Sequence, residues 1–231
     1  MSLRGKGMLV VFAEVKSRHE SDFNEWYNRE HIDERLGMPG FQRARRYAAV
    51  KGSPKYLAIY ECDRVNNLGT PHYLRGLASP TPWTKRATGR FTQFHRLTLS
   101  MKADRTHGLS GLLAVVRFVP DAGHRRNLIQ WLGSTAFPRA IKAAGMLGAA
   151  AGENEPDIAN APVRAQSVDK RKAVDREWVV FLEAADADIA GRVARQIFKL
   201  STLRQFGVRK TPIVGTYQFL FGNQAPQKAR Y

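Results

Sequence analysis

Shifted by 105 residues, the N-terminal third of this chain lies over its own middle. Met8, Val10 and Val11 fall on Leu113, Val115 and Val116, and Phe23, Trp26 and Tyr27 fall on Leu128, Trp131 and Leu132. Gly40 and Phe41 then fall on Gly145 and Met146 with no gap in between. A shift of 122 places residues 56–61 over 178–183, so the second copy carries an extra 17 residues. The polar stretch 153–177, with Pro156, Pro162 and many charges, is expected to be that insertion, as an exposed loop. Near each end, Thr92-Gln93-Phe94 matches Tyr217-Gln218-Phe219. The shared order of these matches reads as a tandem duplication, with a first repeat over 1–104 and a second, degenerate one over 105–231.

Each copy reads strand, helix, strand, strand, helix, strand. Met8–Val15 is almost continuously apolar, as a strand buried on both faces should be. Ser17 and Glu20 suggest a capping box, and Phe23, Trp26, Tyr27 and Glu30 recur at helical spacing behind it. The Gly37-Met38-Pro39-Gly40 turn should end that helix. Residues 41–50 and 56–62 read as a hairpin, 67–77 as a second helix and 91–101 as a fourth strand. In the second copy, strands are expected near 110–118, 145–151, 178–184 and 212–221, with helices near 122–133 and 187–199. This order is the split βαβ, ferredoxin-like motif. It gives an α+β class in which each four-stranded sheet has helices on one face and needs cover on the other. Two βαββαβ repeats packed sheet to sheet supply that cover, which makes one chain a pseudo-dimeric barrel. Homodimerisation of the whole unit stays open.

A formal charge of +17 is the one unusual feature of the composition. Between Asp63 and Glu153 the only acids are Asp104 and Asp121, against thirteen Arg or Lys. Such a balance attracts anions at long range but says little about specificity. Nucleic-acid binding through this surface is the weakest class considered, because the strands lack the aromatic-plus-basic signature of an RRM. The single cysteine, Cys62, excludes an internal disulfide and a Cys-based zinc site. The histidines fall at no metal-ligand spacing, so no metal is expected. There is no dinucleotide fingerprint, P-loop or nucleophile elbow. No apolar run is long enough for a membrane span, and a cytoplasmic protein without a membrane partner is the expectation.

The run Phe23-x-x-Trp26-Tyr27-x-x-x-His31, with Pro39-Gly40-Phe41 and Arg45-Arg46-Tyr47, resembles the dimeric α/β-barrel superfamily. The EthD-like and antibiotic biosynthesis monooxygenase-like branch is the nearest in pattern. Residues 54–61 and Pro80-Thr81-Pro82-Trp83-Thr84 strengthen the likeness, which covers about residues 8–101 and reaches the second copy mainly through the repeat. The resemblance implies cofactor-free monooxygenases, muconolactone isomerases or haem enzymes as relatives, alongside proteins of no known activity.

On that basis His31 is the candidate proton-transfer group, and Arg45 the candidate for stabilising developing negative charge. Arg43, Arg45 and Tyr47 share one face of the second strand by alternation, with Arg46 on the other. Trp26, Tyr27, Arg43, Tyr47, His95 and Trp83 are candidate substrate contacts, Trp26 reading also as core and Trp83 as the anchor of a loop. Under the 105-residue shift Glu30 and His31 become Thr135 and Ala136, and Arg45-Arg46-Tyr47 becomes Ala150-Ala151-Gly152. A pocket is therefore expected in the first copy, with His31 and Arg43 or Arg45 pointing into it. The leading reading is a small-molecule protein, in enzymatic form a cofactor-independent monooxygenase, isomerase or cyclase acting on an organic acid or aromatic. The alternative is a non-catalytic binding or interaction module.

Overall fold

The computed structural model describes residues 3–162 and 175–226. Eight antiparallel strands close into one barrel: β1 (Gly7–Val15), β2 (Phe41–Lys51), β3 (Tyr56–Cys62), β4 (Phe91–Asp104), β5 (Leu112–Phe118), β6 (Met146–Asn154), β7 (Trp178–Ala184) and β8 (Ile213–Gln224). Around the barrel they run β1-β3-β2-β8-β5-β7-β6-β4. Within the first half the order is β4-β1-β3-β2, and within the second it is β8-β5-β7-β6, the same arrangement. The halves are joined by hydrogen-bonded strand edges, β2 to β8 and β4 to β6, rather than by stacking two separate sheets. Closure leaves no free edge.

Both faces of β1, β3, β5 and β7 meet apolar partners, which explains their continuous hydrophobic runs. In β1, Met8, Val10 and Phe12 point into the barrel, where they pack with Leu57, Leu99 and Phe181. Leu9, Val11 and Ala13 point outward beneath the helices of the first half. In β5, Leu113 and Val115 face inward and Ala114 and Val116 outward.

The helices lie outside the barrel. Glu20–Trp26, a π-helical turn Tyr27–His31, and Ile32–Leu36 run on as one helix, α1. The expected capping box is absent. Ser17 opens a short 3₁₀ turn with no side-chain cap, and Glu20 pairs with Lys55 at 2.6 Å. Next come α2 (Pro71–Ala78) and α3 (Pro82–Thr88), each with Pro at its first position and a Thr cap, Thr70 and Thr81. The loop expected at Trp83 is therefore helix. In the second half Arg125–Trp131, a π-helical turn Leu132–Ala136, and Phe137–Ile141 form α4. Short α5 (Pro156–Ala159), then α6 (Ala187–Ile197) and α7 (Leu200–Leu203), complete the set described here.

The two π turns fall at positions related by the same 105-residue shift. A π turn inserts one residue, which rotates everything after it by about 100°. The apolar stripe thus moves from Phe23, Trp26 and Tyr27 to Ile32 and Leu36, not to Glu30. The turns after the helices also correspond: Gly40 and Gly145 both have positive φ, +87° and +84°. At Gly40 a Cβ would lie 2.1 Å from the Asn67 amide.

The stretch 153–177 departs from expectation. Glu153, Asn154 and Glu177 are buried at the ends of β6 and β7, and Asn154 accepts the Thr98 backbone N–H at 2.8 Å. The rest of that expected loop, 163–174, lies outside the described residues.

Candidate functional site

Between the outer face of the first-half sheet and helices α1–α3 lies a cavity of about 220 Å³. Sheet residues Leu9, Val11, Tyr60, Phe91, Phe94 and Arg96 form its floor and rim, and Trp26, Tyr27, His31, Arg35 and Tyr73 line it from the helices. The α1 stripe delivers Trp26 and Tyr27, and the π turn sets His31 beside them. The imidazole stacks on the Trp26 indole, with ring centroids 4.3 Å apart and planes at 29°. Tyr27 and Tyr60 meet it edge-on at 5.3 and 6.3 Å. Trp26 is itself fixed, its Nε1–H donating to Thr84 Oγ1 at 3.0 Å.

Burial pushes the His31 pKa down to about 4, against a partial pull upward from Glu34. Glu34 Oε2 stands 3.4 Å from His31 Nδ1, a contact too poorly aligned to satisfy either atom. Burial opposes ionisation of Glu34, but His31 and Arg35 together hold its carboxyl below the usual range. Near neutrality the site therefore contains a neutral imidazole facing a carboxylate. The carboxylate favours the ring proton on Nδ1, which leaves the Nε2 lone pair as the acceptor. The Tyr60 hydroxyl is likewise buried without a partner, and burial raises the pKa values of Tyr27 and Tyr60, so both phenols stay protonated. His31 Nδ1 and Tyr60 OH are thus unsatisfied polar atoms of residues that line one cavity, and Glu34 Oε2, beside His31, is a third just behind it.

Arg46 lies behind this wall, 2% exposed, with its guanidinium carbon 4.2 Å from the Tyr27 ring centroid. It donates to Asn24 Oδ1 and Asn28 Oδ1 at 2.7 and 2.6 Å rather than to a carboxylate. Its charge acts on the cavity through Tyr27.

The structure divides the residues expected to act together. His31, Trp26 and Tyr27 line the cavity; Arg43, Arg45, Tyr47 and His95 are on the opposite, barrel-interior face. Arg43 binds Glu61 with Nη2–Oε2 at 2.7 Å, while Arg45 bridges Glu61 at 3.3 Å and Glu183 at 2.8 Å. Arg45 also donates to Tyr47 OH at 2.7 Å. These groups neutralise one another at one barrel mouth and tie the two halves together. Arg45 is thus separated from His31 by the sheet, because alternation that turns position 46 toward the helices turns 43, 45 and 47 away from them. His95 sits near the ring of Phe12 and contacts Glu177 at 2.8 Å, and Glu177 is held in turn by Arg117 at 2.6 Å. Trp83 donates to Asp22 at 3.0 Å and lies outside the cavity lining.

Sequence reasoning missed Arg35, Tyr60, Tyr73 and Arg96. Two of these carried a signal: Arg35 is one turn beyond His31, and Tyr60 alternates with the inward-facing Ile59 and Glu61. Arg96 and Tyr73 converge only through the fold. Arg192 and Arg195 follow Asp188 at helical spacing along α6, with Lys199 just past its end, and only the fold brings Arg139 of α4 to the same exposed surface.

Haem, which some members of the resembled superfamily carry, does not fit this cavity. An apolar cavity of about 150 Å³ holds a benzene, so about 220 Å³ is room for one ring and its substituents, not a macrocycle. His31, the one histidine lining the cavity, is covered on a face by Trp26. Among the described residues no cluster of His, Cys, Asp or Glu could hold a metal ion, and no helix is long and apolar enough to cross a membrane.

No family model matches the chain, and no curated protein matches it. Solved structures do. An anthrone oxidase-like protein aligns over 100% of this chain and 99% of its own, with a TM-score of 0.68 at 11% identity. A putative monooxygenase from Lactobacillus acidophilus NCFM aligns over 95% and 96%, with a TM-score of 0.57 at 8% identity. A mutant chlorite dismutase from Candidatus Nitrospira defluvii aligns over 93% and 92%, with a TM-score of 0.54 at 9% identity. At such identities the likeness is one of fold alone, an antiparallel barrel of eight strands with helices outside it.

Proposed function

We propose that the chain binds a small organic molecule in the helix-side cavity of its first half and, as an enzyme, transforms it without a cofactor. His31 takes a proton from the bound molecule, and the anion left behind reacts with dioxygen, isomerises or cyclises. The observation that carries this reading is the neutral imidazole of His31 in an aromatic-walled cavity, backed at Nδ1 by the Glu34 carboxylate. A general base must be unprotonated at working pH and within reach of its substrate; the buried His31 meets the first condition, and its low pKa requires the nearby carboxylate of Glu34 to strengthen its hold on the proton it takes. The positive charges of Arg35 and Arg46 favour the anion once it forms. The anthrone oxidase-like and monooxygenase-named structures agree with this chemistry without establishing it. A monooxygenase, isomerase or cyclase of the EthD-like or antibiotic biosynthesis monooxygenase-like kind is the finer reading. In it, the two halves are tandem copies divided near residue 104, and only the first keeps a site.

The test is turnover of a panel of single-ring phenols and organic acids, followed by oxygen consumption and by product analysis. His31→Gln should abolish turnover while binding persists. Arg45→Met should lower stability and leave binding unchanged. Undiminished turnover by His31→Gln would overturn His31 as the base. Binding without turnover across the panel would favour the non-catalytic alternative.

A further inference from the structure

The cavity is lined by two arginines and a histidine but by no acid. Arg35 is only 4% exposed, yet its nearest carboxylate is Glu34, at 3.6 Å and shared with His31. Its other polar contact is a weak one, to the Met38 sulfur at 3.5 Å. Arg96 reaches the same place from β4. Its Nη2 donates to Tyr73 OH at 3.3 Å, and among the described residues no carboxylate lies within ion-pair distance of it. The two guanidinium carbons stand 5.7 and 6.0 Å from the centroid of the same Tyr73 ring. Buried cations are ordinarily paired, and a guanidinium short of a carboxylate retains most of its desolvation cost. Arg35 is such a cation, and the partly exposed Arg96 borders the same cavity, whose remaining lining is largely apolar or aromatic.

We infer that the molecule this cavity accepts is a single-ring aromatic carboxylate, its ring lying among Trp26, Phe91 and Phe94 and its carboxylate held by Arg35 and Arg96. This rests on the cavity reading above and narrows it by charge and by size. A planar carboxylate matches the fork of a guanidinium and can engage two at once. A volume of about 220 Å³ exceeds the roughly 150 Å³ that accommodates benzene by about the bulk of a carboxyl and one small substituent. Fused two- and three-ring acids exceed it. Phe94 is 55% exposed and stacks on Phe91 at 5.5 Å, so an apolar ring flanks the cavity at the surface. The charge of the whole chain, +17, draws such anions toward the protein before either arginine is reached.

Titration calorimetry with benzoate, benzamide, 2-naphthoate and anthracene-9-carboxylate tests each part. Benzoate should bind at least about tenfold tighter than benzamide, its neutral isostere, as charge-assisted pairing requires. In Arg96→Gln, a partly exposed position whose loss the fold should tolerate, benzoate should weaken by about tenfold or more while benzamide is unchanged. Equal binding of benzoate and benzamide, or an undiminished benzoate preference in Arg96→Gln, would overturn the carboxylate assignment and leave the cavity reading standing. Tighter binding of 2-naphthoate or anthracene-9-carboxylate than of benzoate would overturn the one-ring limit. Failure of all four compounds to bind the native chain would overturn both the inference and the cavity reading beneath it.

Discussion

The helix-side spaces of the two halves are built on one plan and finished differently. In both, a helix with a π turn lies across the outer face of four strands, and the turns fall at positions offset by the same 105 residues. In the second half the positions matching Tyr27 and His31 are Leu132 and Ala136, both fully buried with Phe137, Trp178 and Phe198 in a continuous apolar core. In the first half the same space retains a cavity bordered by unsatisfied polar atoms and incompletely paired cations. The fold therefore does not need His31, Arg35 or Arg96 at these places. A core without them serves the same helix and sheet.

The largest effect that sharpens this contrast is expected in the solid half. Phe137→Ala should cost about 3–5 kcal/mol, since the side chain is fully buried and its neighbours have nowhere to collapse. Denaturant unfolding measures it, and a cost under about 1 kcal/mol would mean that the second half has slack of its own.

The next effect is pH-dependent and confined to the first half. His31 has a folded pKa of about 4 against an ordinary 6.5, so between these values the unfolded chain binds the extra proton. Its contribution is intact above about pH 6.5 and is lost as pH falls toward 4, by about 3 kcal/mol. Stability measured from pH 7 to pH 4 should accordingly fall less steeply in His31→Gln than in the native chain. Parallel curves would place the imidazole in contact with solvent.

A third substitution tries to break the contrast directly. Ala136→His places the missing ring where the second half is already filled, and overpacking of this kind costs about 1–3 kcal/mol. Tolerance without loss of stability, together with new ligand binding, would show that the halves differ in sequence more than in space.

The smallest effect is expected back at the cavity. His31→Gln at pH 7 should change stability by less than about 1 kcal/mol, because the lost ring borders a void and its Nδ1 makes no well-formed hydrogen bond. A loss comparable to that of Phe137→Ala would recast His31 as core.

Much of this was written in the chain itself. The positions of β1, β3, β5 and β7 followed from apolar runs, since a strand buried on both faces has no polar alternation to interrupt it. The internal match agrees with a strand order that is the same in the two halves. The first π turn also left a trace, because the buried positions step from Tyr27 to Ile32 in place of the usual three or four.

What the sequence determined by itself is local: which residues alternate on a strand, which share a helix stripe, and where each element turns. Alternation put Arg43, Arg45 and Tyr47 on one face and Arg46 on the other, which is correct. It could not say which face meets the helices, since both sets are buried and both faces of the sheet are apolar. Only closure of the barrel decided that, by sending Arg45 to Glu183 of the other half and leaving His31 with Arg35, Tyr73 and Arg96. Those four come from α1, α2 and β4, elements separated along the chain. Their convergence is a property of packing, and no spacing within one element encodes it.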